Sequence, residues 1–248
     1  MRETRIIMGM PITVEVADAG DARGAIEAVF AYFVSVDERF SPYKPDSELS
    51  AMNRGELAGS TLSAEMHEVL VLSELTRHQT KGVFDIRRPD GRVDPSGMVK
   101  GWAIRNAARR LEAMGIANYY VEAGGDIQCR GHSESGGRWR IGIRSPFDDT
   151  QVVKVLVPGD CGVATSGDYV RGQHIYDPRL GAAPQEAIAS ITVVGPDIYE
   201  ADRFATAAFA MGQGGIGFIE ETYGLEGYAI DRSGVATMTS GFNRMVAS

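Results

Sequence analysis

The stretch DPSGMVKGWAIRNAARRLEAMG, Asp94 to Gly115, constrains the fold more than any other part of the chain. Asp94, Pro95, Ser96 and Gly97 are turn and helix-entry residues. Val99, Ala103, Ala107 and Leu111 then recur at helical spacing, which predicts an amphipathic helix with one face on a core. Lys100 falls in the opening turn of that helix, next to Gly101. A cation there opposes the helix dipole and is tolerated where an anion occupies the same place. Free N–H groups at a helix start bind phosphates, and a lysine beside them adds a point charge. A solvated lysine on an ordinary helix is the competing reading. If Lys100 serves a ligand, replacing it by Met should leave the ligand-free protein no less stable.

Two further segments carry chemistry. In GVATSGDYVRGQHIYDPRLGAAP, Gly162 to Pro184, glycines 162, 167, 172 and 181 punctuate a run holding Thr165, Ser166, Asp168, Arg171, His174 and Asp177. It reads as a strand, a functional loop, a short strand and a turn at Asp177-Pro178. His174 precedes Ile175-Tyr176 and is either a structural hydrogen-bonding group or a proton acceptor. In YEADRFATAAFAMG, Tyr199 to Gly212, a helix with an alanine-rich face ends at glycine. Asp202 and Thr206 share one of its faces, and a carboxylate with a hydroxyl offers two hard oxygen ligands of the kind Mg²⁺ takes. Alternatively, Asp202 only complements the dipole and Thr206 packs through its methyl group.

The remaining pattern alternates helices and strands. Thr4 to Val16 reads as a strand broken by Gly9 and Pro11. Asp21 to Phe40 and Ser63 to Thr80 read as amphipathic helices, Ser63 capping the second, with a short helix at Glu48 to Arg54 between them. Gly82 to Ile86 reads as a short strand. Strands follow near 119–121, 139–143, 152–157 and 189–194, then helices near 201–211 and 215–223, then short strands near 227–230 and 235–238. No repeat or linker interrupts the 248 residues, so a single domain over 1–248 is expected, with an α+β architecture of mixed sheets sandwiched by helices. The net charge of −8 argues against nucleic acid as a partner. Cys129 and Cys161 fall in strand-like segments, where a reduced, buried state is expected. No segment is apolar for long enough to span a bilayer, and the first residues carry no signal-peptide pattern, so a cytoplasmic location is expected. There is no G-x-G-x-x-G after a strand, no Cys/His cluster and no G-x-S-x-G elbow, which leaves phosphate-and-magnesium chemistry with few competitors.

Taken together the segments resemble the ApbE family, the FAD:protein FMN transferases. DPSGMVKGWA is similar to that family's Asp-x-x-Gly-x-x-Lys-Gly motif, with Pro95 and Ser96 where many members have leucine and glycine. VEAGGDIQCRG is similar to its Gly-Gly-Asp strand end, and GVATSGDYVRGQHIYDPRLG to its Ala-Thr-Ser-Gly-Asp loop and His-x-x-Asp-Pro turn. EADRFATAAFAMG is similar to its metal helix, and MGMP and SPYKPDSELSAMNRGE to its earlier signatures. The resemblance runs from about Met8 to the C-terminus, in the family order.

It implies an ApbE-like fold and Mg²⁺-dependent transfer of FMN from FAD to a Thr or Ser hydroxyl of an acceptor flavoprotein, releasing AMP. It assigns Gly97, Asp202 and Thr206 to the metal, and Met8, Tyr43, Asp94, Lys100 and Tyr176 to FAD. His174 becomes the base, with Asp168 or Asp177 to orient it. Two other outcomes fit the same residues: hydrolysis of FAD to FMN and AMP, and FAD binding without chemistry.

Overall fold

The chain opens with a hairpin, β1 (Arg2–Ile7) and β2 (Met10–Val16). The two strands are antiparallel partners, Ile7 facing Met10. The expected broken strand is therefore two strands, and the break is a turn. Met8 and Gly9 both take positive φ, 56° and 72°, the backbone that matches the twist of a two-residue hairpin. Met8 is strained by this, having a side chain. In this computed structural model residues 1–167 and 188–247 are described.

Three helices follow: α1 (Arg23–Phe40), α2 (Glu48–Asn53) and α3 (Ala64–Gln79). Ser47 caps α2 and Ser63 caps α3, each accepting the backbone N–H three residues on, at 3.1 Å. α1 buries Ile26, Val29, Phe30, Phe33 and Val36 toward the core, while Val34, expected beside them, is exposed. Residues 82–86, expected as a strand, form turns and irregular backbone instead. Lys81 and Gly82 take positive φ, and the Phe84 N–H donates to the Thr80 hydroxyl at 3.1 Å, so this segment caps α3. Val83, Phe84 and Ile86 are apolar because they are buried, without being in a strand.

Beyond a turn come α4 (Ser96–Ala113), β3 (Tyr119–Ala123) and β4 (Asp126–Arg130). Then come β5 (Ile141–Arg144), β6 (Val152–Leu156) and β7 (Cys161–Gly167). β8 (Ile188–Gly195), α5 (Ile198–Ala210) and α6 (Gly215–Glu221) follow, and β9 (Glu226–Asp231) and β10 (Ala236–Met238) close the order. The architecture is α+β. Eight strands form one antiparallel sheet in the order β1-β2-β3-β4-β7-β8-β9-β10, and β5 pairs with β6 alone.

Two cores flank the large sheet. On one face α1, α4 and α5 bury Ile12, Val14, Phe30, Trp102, Ile191 and Val193. On the other, the β5–β6 sheet closes over Ile127, Cys129, Cys161, Val163 and Tyr228, with Trp139, Ile141 and Phe242. Alternation along β4 serves both faces. Ile127 and Cys129 enter the second core, while Asp126 and Gln128 turn toward the helices. Among the described residues no helix is long and apolar enough to cross a membrane.

Candidate functional site

α4 and α5 pack in opposite directions, Gly97 against Thr206 and Gly101 against Ile198 and Asp202, and glycine lets them touch. A Cβ on Gly101 would stand 2.6 Å from the Asp202 Cβ and 2.7 Å from the Ile198 carbonyl oxygen. One on Gly97 would meet the Thr206 methyl group at 3.2 Å. Gly97 and Gly101 thus share the α4 face that receives Asp202 and Thr206 from α5. The Gly101 N–H donates to Asp202 Oδ2 at 2.7 Å, and the Thr206 hydroxyl donates to the Gly97 carbonyl at 3.1 Å. The three residues assigned to the metal are therefore brought together.

Asp202 is 4% exposed. Burial pushes its carboxyl up to about 7, the Lys100 ammonium pulling the other way and the Asp126 carboxylate adding to the rise. α5 is held by the next residue. Arg203, also buried, donates to Thr76 at 3.1 Å and to Gln79 on α3, and pairs with Glu200. The helix start is fixed from the sheet, where the Gln128 side-chain oxygen accepts the Ile198 N–H at 2.8 Å.

Lys100 is the fifth residue of α4, one place beyond its opening turn. Its Nζ lies 2.6 Å from Asp126 Oδ2, and Asp126 is 1% exposed. This pairing with a buried carboxylate argues against the expectation that Lys100→Met leaves the ligand-free protein no less stable. Asp126 also accepts the Thr165 N–H at 3.1 Å, tying β4 to β7. Sequence reading placed Asp126 in a motif without giving it a role. The signal was there in Gly124-Gly125-Asp126, two glycines at positive φ delivering an acid to a strand start.

Asp94 shapes the turn before α4, its side chain accepting the Ser96 N–H at 3.1 Å. It also borders a cleft of about 290 Å³ lined by Pro42, Ser50, Asn53, Arg54, Arg88 and Arg92. Arg88 reaches Asp94 at 3.3 Å. Arg54, Arg88 and Arg92 line this one cleft in an acidic chain, and the sequence pattern assigned them no role. Tyr43, beside Pro42, is 93% exposed, so its ring is available for stacking. Met8 is half-buried against the first core, at the end of the sheet where Gly124 donates to Pro11 at 3.2 Å. His174 and Tyr176, with Asp168 and Asp177, lie outside the described residues.

Among the described residues no group of three or more His, Cys, Asp or Glu side chains could hold a metal. One carboxylate, one hydroxyl and one carbonyl oxygen meet instead, all hard oxygens, which suits Mg²⁺ completed by water and phosphate oxygens and does not suit a soft metal.

A profile of the ApbE family matches residues 8–88 and 86–229. An FAD:protein FMN transferase of Vibrio cholerae is 39% identical over 134 residues, 50% of this chain and 40% of that protein. One of Haemophilus influenzae is 26% identical over 320 residues, covering 98% of this chain and 92% of its own length. Among solved structures, the flavin transferase ApbE from Vibrio cholerae superposes with a TM-score of 0.86 at 25% identity, covering 99% of this chain and 98% of that one. The ApbE protein from Thermotoga maritima superposes at 0.88 with 20% identity over 100% and 99%, a likeness of fold. With the family profile matched over most of its length, this chain belongs to the ApbE family.

Proposed function

We propose that this protein is an FAD:protein FMN transferase that needs Mg²⁺, acts on a Thr or Ser hydroxyl of an acceptor flavoprotein and releases AMP. The observation that carries the reading is the meeting of Asp202, Thr206 and the Gly97 carbonyl beside Lys100, next to an arginine-lined cleft. Asp202, Thr206 and the Gly97 carbonyl would hold the metal, which supplies positive charge to the diphosphate during transfer.

The chain's own residues do the rest. Arg54, Arg88 and Arg92 give the cleft a positive lining, and Tyr43 offers a ring for a flavin or adenine face. Lys100, oriented by Asp126, presents a cation whose charge is already shared with that carboxylate. The acceptor oxygen attacks the FMN-side phosphorus, the bond to the AMP oxygen breaks, and AMP leaves. His174 takes the hydroxyl proton. Met8 and Tyr176 complete the proposed FAD contacts.

The test is incubation with FAD and Mg²⁺, with and without an acceptor domain bearing a modifiable Thr or Ser. Covalent flavin on the acceptor with equimolar AMP is expected. FMN and AMP formed equally without acceptor would establish hydrolysis instead, and unchanged FAD would leave only binding. Asp202→Ala should remove turnover while keeping the far-ultraviolet dichroism, and full activity in that variant would overturn the metal assignment.

A further inference from the structure

Cys129 on β4 and Cys161 on β7 are directly opposed in the antiparallel register. Both are free, both are buried, and both enter the second core. The Cys129 thiol donates to the Gly159 carbonyl at 3.3 Å and is the hydrogen-bonding neighbour of the Cys161 thiol. We propose that this pair is a modification site: a dithiol that closes to a cross-strand disulfide when the chain folds in the presence of a small-molecule disulfide.

The geometry admits the bond. Opposed residues in an antiparallel pair have Cα atoms about 4.5 or 5.5 Å apart, according to the kind of pair. Both values fall within the range of roughly 4.4–6.8 Å that disulfides span. Opposed Cβ atoms stand about 4.5–5.5 Å apart, and a disulfide wants about 3.8 Å, so the strands must approach by about 1 Å. The chemistry is thiol–disulfide exchange. One cysteine thiolate attacks the oxidant and releases a first thiol. The second attacks the mixed disulfide at the protein sulfur and releases another. Two S–H bonds become one S–S bond, and the oxidant leaves as two thiols.

Timing follows from burial. The thiolate is the reactive form, and hydrogen bonding to Cys129 together with burial pushes the Cys161 thiol up. The folded dithiol therefore resists exchange, and closure belongs to folding, before the β5–β6 sheet covers the pair. The ring so closed runs from 129 to 161 and contains both strands of that small sheet.

The experiment refolds the unfolded chain in reduced and oxidised glutathione, and in parallel in excess dithiothreitol. Thiols are then counted after denaturation, and linked peptides are identified by mass spectrometry. The expected product of the oxidised arm is a monomer with no free thiol, a 129–161 cross-link, and a Tm higher by roughly 10 °C, reversed by reductant. Cys129→Ala and Cys161→Ala should each lose that redox-dependent rise. Thiols counted on the chain directed to a bacterial periplasm provide a second arm that needs no refolding, and there too none should remain free. Two free thiols in both arms, separate glutathione adducts, cross-linked dimers, or a disulfide that leaves Tm unchanged would each overturn the proposal.

Discussion

Lys100 lies on α4 with its Nζ 2.6 Å from the buried Asp126 carboxylate. Its spacing from Gly97 and Gly101 placed it on α4, and the chemistry of lysine pointed to an anion. Its protein partner is Asp126, contributed by β4, which no local pattern brings alongside α4. The site was legible wherever its residues are neighbours on one helix, as Asp202 and Thr206 are. It was not legible where a contact joins distant elements, as in Lys100–Asp126, Gln128–Ile198 or Arg203–Thr76. Removing one partner of a buried ion pair strands the other's charge, which typically costs about 3–5 kcal/mol. Lys100→Met should therefore lower the unfolding free energy by about 3 kcal/mol in urea titration. Lys100→Met combined with Asp126→Asn should recover most of it, since Asn can still accept the Thr165 N–H. Additivity of the two changes would show that the pair is energetically idle.

Helices announced themselves through their periodicity, and α1, α3, α4 and α5 run close to the predicted limits. Residues 82–86 did not, because burial alone makes a loop as apolar as a strand. The glycines of α4 were legible as a motif, but their reason is the neighbouring helix. Gly101→Ala would press a methyl group onto Asp202 and the Ile198 carbonyl, so α4 and α5 must part. A loss of about 1–3 kcal/mol is expected, together with weaker activation by Mg²⁺. Gly24→Ala in α1 is the control, since nothing lies within 4 Å of its added methyl group. It should stabilise by a few tenths to about 1 kcal/mol. Asp18 joins the exit of β2 to the entry of β3, accepting the Asn118 N–H at 2.7 Å, the Asn118 side-chain amide at 3.1 Å and the Ala117 N–H at 3.2 Å. Burial works to raise its carboxyl, but these donors outweigh it and hold the group below its ordinary value. A depressed carboxyl contributes stability above its unfolded pKa and loses it as pH falls through the folded one. Asp18→Asn should thus cost about 1 kcal/mol at pH 7, reduced from a buried value by solvent exposure, and flatten the acid decline below pH ~4. Equal acid limbs for Asp18→Asn and wild type in thermal melts would remove Asp18 from that account.

The molecule as a charged body sets a condition on its ligand. Its net charge is −8, and two carboxylates, Asp126 and Asp202, already surround Lys100. A diphosphate brought to this place adds negative charge where the protein's own cation is shared. The arginines of the cleft offset part of that charge, but Arg54 and Arg88 are themselves paired with Glu56 and Asp94. FAD and Mg²⁺ should therefore bind cooperatively, each supplying the charge the other lacks. The proposed contacts come from parts far apart in sequence: the loop at Tyr43, the turn at Asp94 with α4 directly after it, and α5. Ligand binding to the folded state alone stabilises by RT ln(1 + [L]/Kd), about 2.7 kcal/mol at a hundredfold excess over Kd. For a chain of this length that corresponds to roughly 5–10 °C in Tm. FAD alone and Mg²⁺ alone should each give little, and the two together should give more than their sum. Asp202→Ala should leave the small separate shifts and abolish the excess. A full FAD shift without any divalent cation, measured in chelator by differential scanning calorimetry, would show that the arginines and Lys100 suffice and that the metal is not needed to hold the diphosphate.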